Sequence, residues 1–154
     1  RHLSTSFTGH RHIANYAEIK KKVEHAVRFS YKNGQRFFYA GGAIGFDTIA
    51  AETVLRLKEE LPDIVLIVVV PFPQQDKLFN DSYRRRYLHI LDMADEVITI
   101  SDSFSNFAYL KRNDYMISHS SQLIAYWDGE SVGGTSYTYR QALTKKLTIY
   151  NLYG

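Results

Sequence analysis

The run Ile64-Val65-Leu66-Ile67-Val68-Val69-Val70 constrains the fold more than any other stretch of this chain. Its length is that of a strand, its residues are almost all β-branched, and no polar residue alternates with them. A strand of that kind has no face it can turn to water. It belongs inside a parallel sheet with helices packed on both sides. Pro62 before it and Pro71-Phe72-Pro73 after it set its limits.

The remaining chain alternates in the way such a sheet requires. Strands are predicted over 3–8, 36–40, 64–70, 96–100, 123–127 and 147–150, and helices over 13–31, 46–61, 82–93, 109–118 and 136–145. In the first helix Ile13, Tyr16, Ile19, Val23, Ala26 and Val27 recur at helical spacing, and Asn33-Gly34 closes it. In the second, Ala50, Val54, Leu57 and Leu61 share a face. The pattern predicts a single α/β domain, Rossmann-like and doubly wound, with a mainly parallel sheet and helices on both faces. All strand C-termini then lie along one edge, where ligands of open α/β sheets bind.

Composition narrows the function classes. A length of 154 residues suits one domain with one core. With no cysteine there is no disulfide, thiol catalysis or Cys-based zinc site, and no His-x-x-x-His-like cluster suggests a metal. No apolar run reaches membrane-spanning length, and no signal-peptide core opens the chain, so the expected address is the cytoplasm. A first residue other than Met leads us to expect a residue or two trimmed from the start. A net charge of +3 is low for a nucleic-acid binder. The basic clusters Lys20-Lys21-Lys22, Arg84-Arg85-Arg86 and Lys145-Lys146 read as solvated helix faces.

The unusual residues gather at the predicted strand ends. After the first strand, Thr8-Gly9-His10-Arg11 offers a turn with two side-chain donors to an anion. After the second comes Gly41-Gly42-Ala43-Ile44-Gly45-Phe46-Asp47, a glycine turn that is neither the dinucleotide fingerprint nor a Walker loop. Asp47 is read either as a helix cap or as a partner for a ribose hydroxyl. Phe72 is read as a wall for a base or as core, with Gln75 as a polar reader beside it. On the fourth helix Arg112 shares a face with Met116, next to Asn113, and an Arg aimed at the sheet edge can grip phosphate. After the fifth strand, Asp128-Gly129 leads to Gly133-Gly134-Thr135 at a helix start, a second place for phosphate on free N–H groups. Thr135 suits either a cap or a phosphate. Two such glycine turns suggest a ligand held at two points.

Taken together and in order, these segments, with Ala51-Glu52 and Ala94-Asp95, resemble the YpsA-like family of the SLOG superfamily, relatives of DprA-type and LOG-type proteins. The resemblance covers nearly the whole chain. It implies a Rossmann-like domain, no required cofactor, and a nucleotide-derived ligand at the C-terminal sheet edge. Relatives are often oligomeric, so a homo-oligomer is expected, with Tyr137, Tyr139 and Tyr153 as an association surface.

The leading functional expectation is therefore binding or sensing of a small nucleotide-type molecule, ADP-ribose/NAD-like or a nucleoside monophosphate. An alternative is N-glycosidic cleavage by a LOG-like phosphoribohydrolase. Arg112 and Gly133-Gly134-Thr135 are similar to that group's Arg and turn, but its following Glu is missing, since Ser136-Tyr137-Thr138-Tyr139-Arg140 holds no acid. Asp47, Asp128 or Glu130 would have to stand in for it. The third expectation is single-stranded DNA binding as in DprA-type relatives, with some of the 12 Tyr and 9 Phe as stacking platforms.

Overall fold

The computed structural model describes residues 2–154. In chain order the elements are β1 (Ser4–Gly9), α1 (Tyr16–Lys32), β2 (Phe37–Ala40), α2 (Phe46–Leu57), β3 (Val65–Val70), a 3-10 turn (Gln75–Leu78), α3 (Asp81–Met93), β4 (Glu96–Thr99), α4 (Asn106–Ser118), β5 (Gln122–Tyr126), α5 (Gly134–Thr144) and β6 (Thr148–Asn151). All six strands pair in parallel, in the order β4-β3-β2-β1-β5-β6. This is the Rossmann-like α/β architecture, with α1, α2 and α3 packed side by side on one face and α4 and α5 on the other.

The chain winds outward from β1 to β4, returns through α4, and resumes on the other side of β1. The reversal between β1 and β5 is a topological switch point, and the loops that leave those two strands diverge to opposite faces. A crevice opens between them.

The all-apolar run is internal, and Leu66, Val68, Val69 and Val70 are buried in it. Central β1 is mostly polar instead: Ser4, Thr5, Ser6 and Thr8 are buried. Its hydroxyls are paired where they lie deepest. Thr5 donates to Gln35 Oε1 at 2.5 Å, and Ser6 donates to the Met116 carbonyl at 3.0 Å. The Ser6 hydroxyl ties the strand to α4 and to Ser120 just after it, which helps fix the helix that carries Arg112.

Several boundaries differ from the sequence expectation. Helix α1 starts at Tyr16, not 13. Helix α2 ends at Leu57, and the expected last turn to Leu61 is a tighter turn in which Leu61 N–H still reaches the Leu57 carbonyl. Helix α4 begins three residues early, because Ser105 Oγ accepts the Ala108 N–H at 3.1 Å and caps it. In the arginine cluster Arg84 and Arg85 are exposed, Arg84 pairs with Asp76 at 3.0 Å, and the half-buried Arg86 pairs with Glu52 at 2.7 Å.

Candidate functional site

Two loops meet backbone to backbone at the switch point. The Phe46 N–H donates to the His10 carbonyl at 3.1 Å. Gly45 has φ +81°, and a Cβ there would lie 2.2 Å from the Arg11 carbonyl oxygen, so only glycine lets the loop after β2 sit against the loop after β1. The loop after β5 joins from the other side. The His10 N–H donates to the Tyr126 carbonyl at 3.2 Å, and the Asp128 N–H donates to His10 Nε2 at 2.9 Å.

Between these loops, α4 and the start of α5 lies a cleft of about 330 Å³. Thr8, Gly9, His10, Arg11, Gly41, Asp47, Arg112, Asn113, Met116, Gly133, Gly134 and Thr135 line it. Residues near 9, 41, 112 and 134, far apart in sequence, thus share one cavity. The other sequence candidates lie elsewhere. Asp128 faces a neighbouring cavity. Phe72 is core, edge-on to Phe104 and Tyr109 at 5.3 and 5.4 Å between ring centres. Gln75 is buried behind the glycine loop, where its Nε2 donates to the Gly41 carbonyl at 3.1 Å and to Tyr87 Oη at 3.2 Å. Gly42 packs toward Gln75 and Tyr87, and Gly45 toward Arg11. These residues shape the loop and lie outside the cleft lining.

Arg112 is 5% exposed. Its Nη1 donates to the Gly41 carbonyl at 2.5 Å and to the Val69 carbonyl at 3.3 Å, and its Nε donates to Asn113 Oδ1 at 2.8 Å. Nη2 has no partner among the described residues. The guanidinium is thus anchored on one side and open on the other. A Cβ on Gly41 would lie 2.6 Å from Nη1 and 3.0 Å from Asp47 Oδ2, so the missing side chain makes room for a buried cation and a buried carboxylate close together.

Asp47 caps no helix end. The N-cap of α2 is Gly45, and Asp47 Oδ2 reaches back to accept the Ala43 N–H at 3.2 Å. Burial pushes its carboxyl up from 3.8 to about 6, against the opposing pull of Arg112, the Ala43 N–H and Arg11. Burial likewise lowers Arg112, and Asp47 opposes that change.

Helix α5 starts at Gly134 with its amides toward the cleft. Ser136, not Thr135, stabilises this end: its Oγ accepts the Gly133 N–H and donates to the Gly133 carbonyl, both at 2.9 Å. The N–H groups of Gly134 and Thr135 have no acceptor among the described residues and carry the partial positive charge of the helix start. Arg11 is exposed on the cleft rim, and its guanidinium makes no hydrogen bond or ion pair among the described residues.

Sequence reasoning missed Phe7, Ala43, Tyr109, Ser131, Val132 and Ser136 on the lining. Tyr109 was accessible to it, since Tyr109, Arg112 and Met116 follow the i, i+3, i+7 spacing of one helix face. The loop residues carry no such period.

The YspA SLOG family profile matches residues 8–153. The chain belongs to that family. It is 34% identical over 114 residues to the "Uncharacterized SPbeta prophage-derived protein YoqJ" of Bacillus subtilis, covering 66% of this chain and 67% of that one. It is 32% identical over 121 residues to a UPF0398 protein of Halalkalibacterium halodurans, covering 77% and 64%. The chain thus spans about two thirds of the length of these relatives. Among solved structures, it is similar to DNA processing protein A from Helicobacter pylori, described for its single-stranded DNA binding mode. The TM-score is 0.67 at 22% identity, covering 96% of this chain and 63% of that one. A second similar structure, TM1055, has a TM-score of 0.60 at 10% identity, covering 95% and 71%. These two likenesses establish the Rossmann-like α/β fold. No described helix is long and apolar enough to cross a membrane.

Proposed function

We propose that the switch-point cleft binds a phosphorylated small molecule of the nucleotide type. One observation carries this reading: unpaired donors from one loop and two helices converge there. They are the Gly134 and Thr135 amides, Arg112 Nη2 and the free Arg11 guanidinium. Arg112 weighs most, because a buried guanidinium with one unpartnered nitrogen lacks an acceptor, and a phosphate oxygen supplies it. Calorimetric titration with AMP tests the reading. Binding that falls at least tenfold in Arg112→Ala supports it, and absence of heat with AMP and other nucleoside monophosphates refutes it.

A second reading, single-stranded DNA on the same edge, is favoured by Phe104 and Phe107, which are 64% and 71% exposed near Tyr109 on the cleft wall. Exposed aromatic rings next to phosphate donors are how bases stack on a protein. Oligonucleotide binding that weakens steeply with salt and drops in Phe107→Ala favours it. Hydrolysis of an N-glycosidic bond would rest on Asp47, the one carboxylate among the described lining residues. Free base released from AMP by the native chain but not by Asp47→Asn would establish that chemistry.

A further inference from the structure

A second cavity of about 420 Å³ lies on the other side of the loop after β1. It shares His10, Arg11 and Ser131 with the first, so the two are contiguous across that loop. Their chemistry differs. The first is lined by amides and guanidinium groups, which suits an anion. The second is walled by the rings of Tyr126 and Tyr153, 5.1 Å apart between centres, with the His10 ring edge-on to both.

The second cavity also holds the Asp128 carboxylate, which is unfit for phosphate but fit to accept from hydroxyl groups. Asp128 accepts the N–H groups of Glu130 and Ser131, at 2.9 and 2.7 Å, and the Ser131 hydroxyl. These bonds hold the group in place and leave Oδ2 with acceptor capacity. Arg11, exposed and unpaired among the described residues, stands where the cavities join. Each cavity alone is near the small end of the range that holds a ligand, roughly 300–1,000 Å³.

Resting on the nucleotide reading above, we infer that the ligand is two-headed. One end is anchored by phosphate in the first cavity, and a ring-bearing nucleoside head sits in the second, against Tyr153. The diphosphate link crosses beside Arg11. The class is a dinucleoside pyrophosphate, and a nucleoside monophosphate fills only half the site. The side of the sheet that receives the second head is set by the reversal between β1 and β5, because the loops leaving those strands part to opposite faces.

Calorimetry with AMP and NAD tests this on the native chain, Tyr153→Ala and Tyr153→Phe. Tyr153 is 49% exposed, so truncating it leaves the core intact. The expected result is NAD bound at least tenfold more tightly than AMP. That advantage should disappear in Tyr153→Ala and persist in Tyr153→Phe, which keeps the ring, while AMP affinity stays the same in all three. A tenfold loss is what about 1.4 kcal/mol of ring stacking gives. AMP binding with no gain for NAD, or a Tyr153→Ala loss equal for both nucleotides, overturns the two-headed ligand and leaves the phosphate site standing. Absence of heat with both overturns the phosphate site and this inference together.

Discussion

At neutral pH, replacing Asp47 by Asn is expected to make the fold more stable. Burial raises the carboxyl from 3.8 to about 6 although Arg112, Arg11 and the Ala43 N–H all favour its ionised form. In the unfolded chain the same group titrates near 3.8. Between these two values the native state holds a proton that the unfolded state has released. The contribution of Asp47 is therefore most favourable below about pH 4 and declines as pH rises to about 6. At about 1.36 kcal/mol per unit of pH, the loss reaches about 3 kcal/mol above pH 6. Asparagine keeps an oxygen to accept the Ala43 N–H and brings no charge to desolvate. The attraction of Arg112 is already contained in the value near 6, so the variant should recover most of that 3 kcal/mol. Urea denaturation of both proteins at about pH 4.5 and 7.5 checks this. The gain of the variant should be about 1 kcal/mol at the lower pH and about 3 at the higher, because every other carboxylate cancels in the difference. An equal difference at both pH values, or a variant less stable at pH 7.5, would refute the reasoning: Arg112 would then need the carboxylate more than burial penalises it.

Other perturbations separate scaffold from site. Gly45→Ala combines φ +81° with a Cβ only 2.2 Å from the Arg11 carbonyl. It should lose roughly 2–4 kcal/mol of stability in urea denaturation, since backbone must move on both sides. Ser136→Ala removes both contacts to Gly133 and should cost about 1 kcal/mol in the same assay, with weaker AMP binding by calorimetry. Arg112→Lys keeps a positive charge but cannot serve the Gly41, Val69 and Asn113 acceptors and a ligand together. AMP affinity should fall about as far as in Arg112→Ala, and near-native affinity would show that charge alone matters.

The fold was legible because its decisive signals are local. An all-apolar strand at 64–70 requires a two-sided parallel sheet, and the helical periods between strands supply both layers. Helix ends were less legible. The start of α4 depends on one hydroxyl, Ser105, in a stretch crowded with other candidate caps. The polar central strand β1 was legible as a strand, but its burial was not, because Thr5 and Ser6 are satisfied by Gln35, Met116 and Ser120, which lie 30 to 114 residues away. At the candidate site, residue type marked which loops meet, and only the fold could assign depth. Arg112 and Gln75 both donate to the Gly41 carbonyl, yet one opens on the cleft and the other lies behind it. Nothing in the residues that flank either one distinguishes those two positions. Tyr137 and Tyr139, expected on an association surface, are engaged inside the chain, with Asp114 at 2.8 Å and the Trp127 ring at 4.8 Å.

The distribution of unpaired groups bears on the kind of ligand proposed for the cleft. Among the described residues, the only fully buried side-chain polar atom without a partner is Thr53 Oγ1, far from the switch point. Buried polar groups are satisfied even in the polar strand β1, so an unsatisfied group elsewhere is informative. Those on the cleft wall are donors: two amides, one arm of Arg112 and all of Arg11. Of the acceptors nearby, the Gly41 carbonyl takes two bonds and Asp47 Oδ2 takes the Ala43 amide. This surplus of donors supports the proposed oxygen-rich anion. The buried Asp47 fits the same logic. It lowers stability near neutral pH, and what it provides in return is a fixed Ala43 amide and a counter-charge beside Arg112. Both hold the glycine loop in shape before any ligand arrives, so binding has little left to order.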